Sequence, residues 1–352
     1  MGCTLTDARL RLGPTVDFRT YSRDVDRFAA AAGVPPRVLE VHVLNAELDA
    51  RFDERLHDLV RFLSGRAIDA ISFHCPDNLQ NISFLSAFAP ADPVLRECRL
   101  EFPFTGAEAR SRIERLARGA GLVASRCDCE AIVVVHQGVY LPAAAMAPLA
   151  AADLDALRLR MLEALESDYR WMLDVTERTG VTLGLETSPP GSATGANEHL
   201  VDHCFDDVAP RLALGGRFVL DTSHVAMASA YFRQSAVSFA GMESVRRTRG
   251  GVPASLRSLE AFVDAARPYI GWLHLSDATG CRGVDEGRPI QSEGSLIDWV
   301  QLLGDVLPAA ISRPRGVLEL VDSHRDFTSV SQSIAWIRER VPGVFAPTDV
   351  HA

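Results

Sequence analysis

Residues 217–224 read RFVLDTSH, a short apolar run that stops on an aspartate and, three residues later, on a histidine. Strand-forming residues that give way at once to metal-ligand side chains are expected where a strand ends at the mouth of a parallel barrel. The pattern recurs on both sides of this stretch. AIDAISFH (67–74) and AIVVVHQ (131–137) end on His74 and His136, VTLGLET (181–187) on Glu186, IGWLHLSD (270–277) carries His274, and GVLELV (316–321) carries Glu319. ARLRLG (8–13) and RVLEVHV (37–43) bring the runs to eight.

Between these runs the amphipathic spacing predicts helices over 22–33, 48–64, 107–121, 151–179, 198–208, 254–267, 295–306 and 328–340. Asp153 and Asp155 complement the dipole at the start of the fourth helix, and Gly180 follows its end as a cap. Eight βα units predict an α/β protein with a (β/α)8 TIM barrel. No Pro/Ser-rich linker or break in composition divides the chain, so residues 1–352 are expected to form one domain with its core over about 8–340. Two connections are too long for simple βα loops: 75–106 after the third strand and 225–253 after the sixth. Both leave the active face of a barrel, and both are expected to be lids or substrate walls.

Composition narrows the function classes. Apolar residues at 47% and charged residues at 23% suit an ordinary globular core. The formal charge of -10 argues against nucleic acid as a partner, which calls for a basic face. The densest basic cluster, Arg246, Arg247 and Arg249 in RRTRGG, is read as solvated rather than phosphate-binding. Seven scattered cysteines, with Cys127 and Cys129 in the one CxC pair, form neither a disulfide framework nor a zinc ribbon. A reducing, cytoplasmic compartment is the expectation. No apolar run approaches the ~20 residues of a membrane span, and the N-terminus lacks the apolar core expected of a secretion signal. MGCTLT fits the spacing of a myristoylation signal through Gly2 and Thr6, a short pattern that chance also produces.

The chemistry lies in the joint pattern at the strand ends. Residues far apart in sequence converge in a parallel barrel around one axis, so His74, His136, Glu186, Asp221, His224, His274 and Glu319 are expected to face one cup. Three carboxylates and several imidazoles buried together need a compensating cation, and mixed nitrogen and oxygen donors suit zinc, manganese, cobalt or iron. One such position is expected, with room for two or three. Four other histidines are set aside: His42 as a packed core residue, His324 as rim or surface, and His199 with His203 as one solvated face of an outer helix.

At LGLET, VLDTSH, WLHLSDATG, SEGSLIDW and VLEL the chain resembles the xylose-isomerase-like TIM barrel superfamily, which takes in ketose epimerases, inosose isomerases and dehydratases, and the endonuclease IV group. The likeness runs from about residue 37 to 340. It implies that Glu186, Asp221, His274 and Glu319 form the central metal quartet. His224 corresponds to a substrate contact in epimerase-like members and to a further metal ligand in endonuclease-like ones. His74 and His136 match positions that bind an additional zinc bridged through the equivalent of Glu186. Where the nucleases carry an Asp-x-His pair, this chain has Asp285, Glu286 and Gly287, which keeps Asp285 as an expected ligand and lacks the histidine.

Three activities follow in order of preference. The first is a metal-dependent isomerase or epimerase of a small sugar-like or polyol-derived carbonyl compound, with Glu186 and Glu319 moving the proton and His224 holding a substrate oxygen. The second is an endonuclease IV-like multinuclear phosphodiesterase, favoured by His74 and His136 and opposed by the charge and Gly287. The third is an iron-dependent oxidative enzyme of a biosynthetic pathway. A small molecule is the expected partner, no membrane is involved, and a homo-oligomer is left open.

Overall fold

The computed structural model describes residues 10–76, 107–137, 140–191, 197–234, 238–321 and 327–345. Eight parallel strands close into a barrel in the order β1 (Arg11–Val16), β10 (Arg315–Leu318), β9 (Ile270–Leu275), β8 (Arg217–Asp221), β6 (Thr182–Glu186), β4 (Glu130–His136), β3 (Ala70–His74) and β2 (Val38–His42). Outside it, β5 (Tyr140–Pro142) and β7 (Asn197–His199) pair as an antiparallel ribbon. The longer helices are α1 (Tyr21–Ala32), α2 (Phe52–Leu63), α3 (Ala107–Cys127), α4 (Ala151–Thr179), α5 (Phe205–Leu212), α6 (Thr222–Gln234), α7 (Ala240–Thr248), α8 (Leu259–Ala266) and α9 (Thr328–Arg340). This is the (β/α)8 TIM barrel. Among the described residues no helix is long and apolar enough to cross a membrane.

Strands covered on both faces have to be apolar on both, which is why the runs show no polar alternation until their ends. Ile71, Phe73, Val133, Leu183, Phe218 and Leu273 pack in the layer between sheet and helices. The alternate residues Val38, Ala70, Ile132, Val134, Val219, Trp272 and Val317 form a separate buried cluster inside the barrel. Side chains two apart share a face, so the inward row that begins with these residues continues upward to Glu40 and His42, Ser72 and His74, His136, Glu186, Asp221, His274 and Glu319. The floor of the cup is thus fixed by the same alternation that supplies its walls. Trp272 is fully buried in that floor. Gly184 makes room beside it, since a Cβ there would stand 2.8 Å from Val219 Cγ2 and 3.0 Å from Ile132 Cγ2.

Several elements differ from the sequence expectation. The first strand occupies 11–16 rather than 8–13. The helix expected over 198–208 is β7 followed by α5, because residues 197–199 pair with β5. The connection 225–253 is mostly helix: α6 starts at Thr222 directly behind β8, and α7 follows. Arg246, Arg247 and Arg249 are therefore not a solvated loop cluster. Arg246 pairs with Glu243 at 3.3 Å, Arg247 with Asp155 at 2.8 Å and Arg249 with Asp207 at 2.8 Å, and the last two tie α7 to α4 and α5. Gly2, Thr6, residues 77–106 and His324 lie outside the described residues.

Gly184→Ala is expected to cost about 1–3 kcal/mol by overpacking the barrel interior, read as a lower melting temperature; an unchanged melt would contradict the close packing of Val219 and Ile132 against Gly184.

Candidate metal centre

The strand ends bring their polar side chains within contact of one another around Glu186, which is completely buried. Its Oε2 stands 3.1 Å from His274 Nδ1, 3.2 Å from His136 Nε2 and 3.7 Å from His74 Nε2, while Oε1 is 3.4 Å from His224 Nδ1. Among the described residues, three groups of ligand atoms close enough to share an ion all contain it: His74, Glu186 and His274; His136, Glu186 and His224; and Glu186, Asp221, His274 and Glu319.

The quartet is assembled from four strands. Register sets Asp221 beside His274, and Glu319 follows β10 directly. Glu319 Oε2 reaches His274 Nδ1 at 2.6 Å. Asp221 spends one oxygen on local structure: Oδ1 accepts from Ser223 Oγ at 2.7 Å and from the His224 amide at 2.8 Å, capping the start of α6. Its other oxygen is left for the quartet.

A second group lies across Glu186. Register pairs His136 with Glu186 on neighbouring strands. His74 Nδ1 is 3.0 Å from the Cys75 carbonyl and His136 Nδ1 is 3.2 Å from the Thr187 carbonyl. A carbonyl only accepts, so each ring carries a proton on Nδ1 and, in its neutral form, its lone pair on Nε2. The two Nε2 atoms nevertheless face each other at 3.2 Å. Two lone pairs at that range repel unless a proton or a cation lies between them. Atoms bound at about 2.0–2.2 Å to one cation stand roughly 3–4 Å apart, and the separations among His74 Nε2, His136 Nε2 and Glu186 Oε2 fall in that range. Both Glu186 oxygens are buried without an aligned hydrogen-bond donor, an expensive state for a carboxylate unless a cation faces it. The donor set therefore fits a divalent metal at the quartet and a second at the His74, His136 and Glu186 triangle.

Electrostatics agree with this fit. Burial alone would raise the Glu186 carboxyl, but the His136 and His274 imidazoles hold it well below the ordinary range. Burial likewise would lower His74, yet Glu186, Glu319 and Glu40 raise it to about 10, and His274 is raised well above its ordinary value by Glu186, Glu319 and Glu40 against the same burial. Burial pushes Glu319 up. In the metal-free protein, protons on His74 and His274 supply positive charge that the carboxylates demand.

His224 stands at the edge. Its Nδ1 donates to the Thr187 carbonyl at 2.9 Å, so its lone pair is on Nε2, which faces Glu286 Oε2 at 3.6 Å. Proximity groups Nδ1 with Glu186, but the bond to Thr187 fixes the proton there, and we take His224 to serve the outer side of the cup. Asp285, expected as a ligand, is elsewhere: its Oδ2 accepts from the Arg282 amide at 3.0 Å and packs against Gly280. The turn after β9 presents Glu286 instead. Asp277 holds that loop by accepting from Ser292 N at 3.0 Å and Ser295 Oγ at 2.9 Å, while its backbone pairs with Arg288.

Two residues absent from the sequence expectation belong here, Glu286 and Glu40. Glu40 lies in the middle of β2 and its Oε2 is 2.8 Å from His274 Nε2. Burial opposes its ionisation, but His274 beside it brings it down to about 2. The sequence signal was a lone acid inside the apolar run RVLEVHV. His42, set aside as core, lies edge-on to His74 with ring centres 4.9 Å apart. His199 and His203 are buried rather than on a solvated helix, with His203 Nε2 donating to the His199 carbonyl at 2.9 Å. Burial holds both below the ordinary imidazole value.

No family model matches the chain, and no curated protein matches it. Solved structures do. A D-tagatose 3-epimerase-like protein matches with a TM-score of 0.55 at 15% identity, covering 96% of this chain and 98% of its own. The 3-keto-D-glucoside 4-epimerase of E. coli matches at 0.55 and 12%, covering 94% and 100%. A family 2 AP endonuclease of Brucella melitensis matches at 0.51 and 13%, covering 94% and 98%. The likeness is one of fold, a (β/α)8 barrel over nearly the whole chain.

Because the ligand nitrogens must lose protons to bind metal, and His74 is raised to about 10, zinc affinity is expected to keep rising with pH through neutrality toward about 10 with net proton release. Calorimetry in buffers of differing ionisation enthalpy measures this, and a pH-independent affinity without proton release would contradict it.

Proposed function

We propose that this chain is a metal-dependent isomerase or epimerase of a small polyhydroxylated carbonyl compound. The observation that carries the proposal is the pair of carboxylates converging on one imidazole nitrogen: Glu186 at 3.1 Å and Glu319 at 2.6 Å from His274 Nδ1, supplied by β6 and by the end of β10. A divalent cation held by Glu186, Asp221, His274 and Glu319 would polarise a carbonyl and acidify the adjacent C–H. One glutamate removes that proton from the substrate carbon and the other returns one to the same or the neighbouring carbon. Burial raises Glu319, and its side chain is 29% exposed, which makes it the carboxyl better able to exchange a proton with substrate. His224 Nε2 and Glu286, at the open side of the cup, are suited to hold substrate hydroxyls. The acidic overall charge favours an uncharged substrate over a polyanion.

The His74, His136 and Glu186 triangle favours a second reading. Two cations sharing a carboxylate suit hydrolysis of a phosphodiester, or, with iron, oxidation of a small molecule.

The test is solvent deuterium exchange into a panel of ketoses and inososes by metal-loaded protein. Exchange at one carbon, falling roughly 10²–10⁴-fold in Glu319→Gln, is the expected result. No exchange, together with hydrolysis of bis(p-nitrophenyl) phosphate that is lost in His74→Ala/His136→Ala, would overturn the isomerase in favour of the hydrolase.

A further inference from the structure

The imidazoles of the cup differ in what holds the nitrogen that points away from the centre. His74 and His136 each rest on a neutral backbone carbonyl, at 3.0 and 3.2 Å. His274 rests on the Glu40 carboxylate at 2.8 Å. That carboxylate is wholly buried and is itself held, with Ser72 Oγ donating to Oε2 at 2.8 Å and Thr15 Oγ1 donating to Oε1 at 3.3 Å. Glu40, Ser72 and Thr15 come from the three adjacent strands β2, β3 and β1, in the inward layer beneath the strand ends. In RVLEVHV the acid stands between Val38 and His42 on the inner face, where an unpartnered carboxylate would be strongly unfavourable.

Two consequences follow for His274. An ionised carboxylate only accepts, so the Nε2 proton is fixed and the Nδ1 lone pair is aimed at Glu186 and Glu319. A negative charge behind the ring also makes that lone pair a stronger donor, and removing such an outer partner typically weakens metal binding roughly 10–100-fold. The carbonyl-backed histidines receive the first benefit without the second.

We propose that Glu40 is a positioning residue that makes the Glu186, Asp221, His274 and Glu319 position the tighter of the two metal positions, so that cations fill it before the His74, His136 and Glu186 position. The order of filling rests on the two-position reading given above; the role of Glu40 at His274 does not. The hydroxyls of Ser72 and Thr15 keep Glu40 charged and oriented, and the second position, lacking such a counter-charge, loads last and exchanges fastest.

Zinc titration of the metal-free full chain against a chromophoric chelator, with the cobalt(II) absorption spectrum as a second readout, tests the proposal. The wild type is expected to bind in two affinity classes, and His136→Ala to lose the weaker alone. Glu40→Gln keeps a hydrogen-bond acceptor and deletes the charge; it should weaken the tighter class roughly 10–100-fold and alter its cobalt spectrum while the weaker class changes by less. Ser72→Ala should move the tighter class in the same direction by less, and it replaces Glu40→Gln if that variant does not fold by circular dichroism. An unchanged tighter class in folded variants, or equal weakening of both classes, overturns the role of Glu40. A wild type that binds a single zinc overturns the filling order and the two-position reading, and Glu40→Gln then still decides whether Glu40 strengthens the one position.

Discussion

The structure depends on a buried carboxylate surrounded by imidazoles. Glu186 has no exposure and no aligned hydrogen-bond donor, yet three histidine nitrogens stand within 3.7 Å of one of its oxygens. Such a group is tolerable only if positive charge is held against it. The barrel supplies that charge by geometry. Parallel strands of period two carry every inward side chain upward in register, so one residue at the end of each of six strands suffices to build the cup. The core below, filled by Trp272 and its valine neighbours, makes the floor rigid and keeps the ligand atoms from collapsing onto one another.

Much of this was legible in the sequence because the fold and the site share one code. An apolar run that stops on His or Glu specifies both a buried strand and a side chain at its C-terminal end, and six repetitions name the cup. The residues that escaped are those whose position depends on tertiary detail. Glu40 stands in mid-strand, where burial and alternation identify it only once the inward face of β2 is known. Asp285 and Glu286 exchange roles because the turn Gly283–Asp285 folds the Asp285 carboxylate back onto the Arg282 amide, and Glu286, just past the turn and before Gly287 at φ +64°, faces His224 instead. His199 and His203 carry helical spacing, but pairing of residues 197–199 with β5 overrides it and buries both. Arg247 and Arg249 looked solvated because their partners, Asp155 and Asp207, lie about 40 or more residues away in sequence.

The cup is chemically unequal across its width. On the β9 side, His274 is backed by a charge and flanked by two glutamates, which suits the cation binding and proton exchange proposed for it. On the β3 and β4 side, neutral carbonyls back His74 and His136, and the Thr187 carbonyl serves both His136 and His224. That shared acceptor links the second position to the open edge, where His224 and Glu286 stand nearest to an entering molecule.

The central claim is that Glu186 is shared between two metal positions. Anomalous diffraction from crystals grown with manganese or zinc tests it directly. The account predicts two peaks, one on each side of the Glu186 carboxylate, the first among Asp221, His274 and Glu319 and the second between His74 and His136. A single peak confined to the quartet at saturating metal, with His74 and His136 hydrogen-bonded to each other or to water, would contradict it.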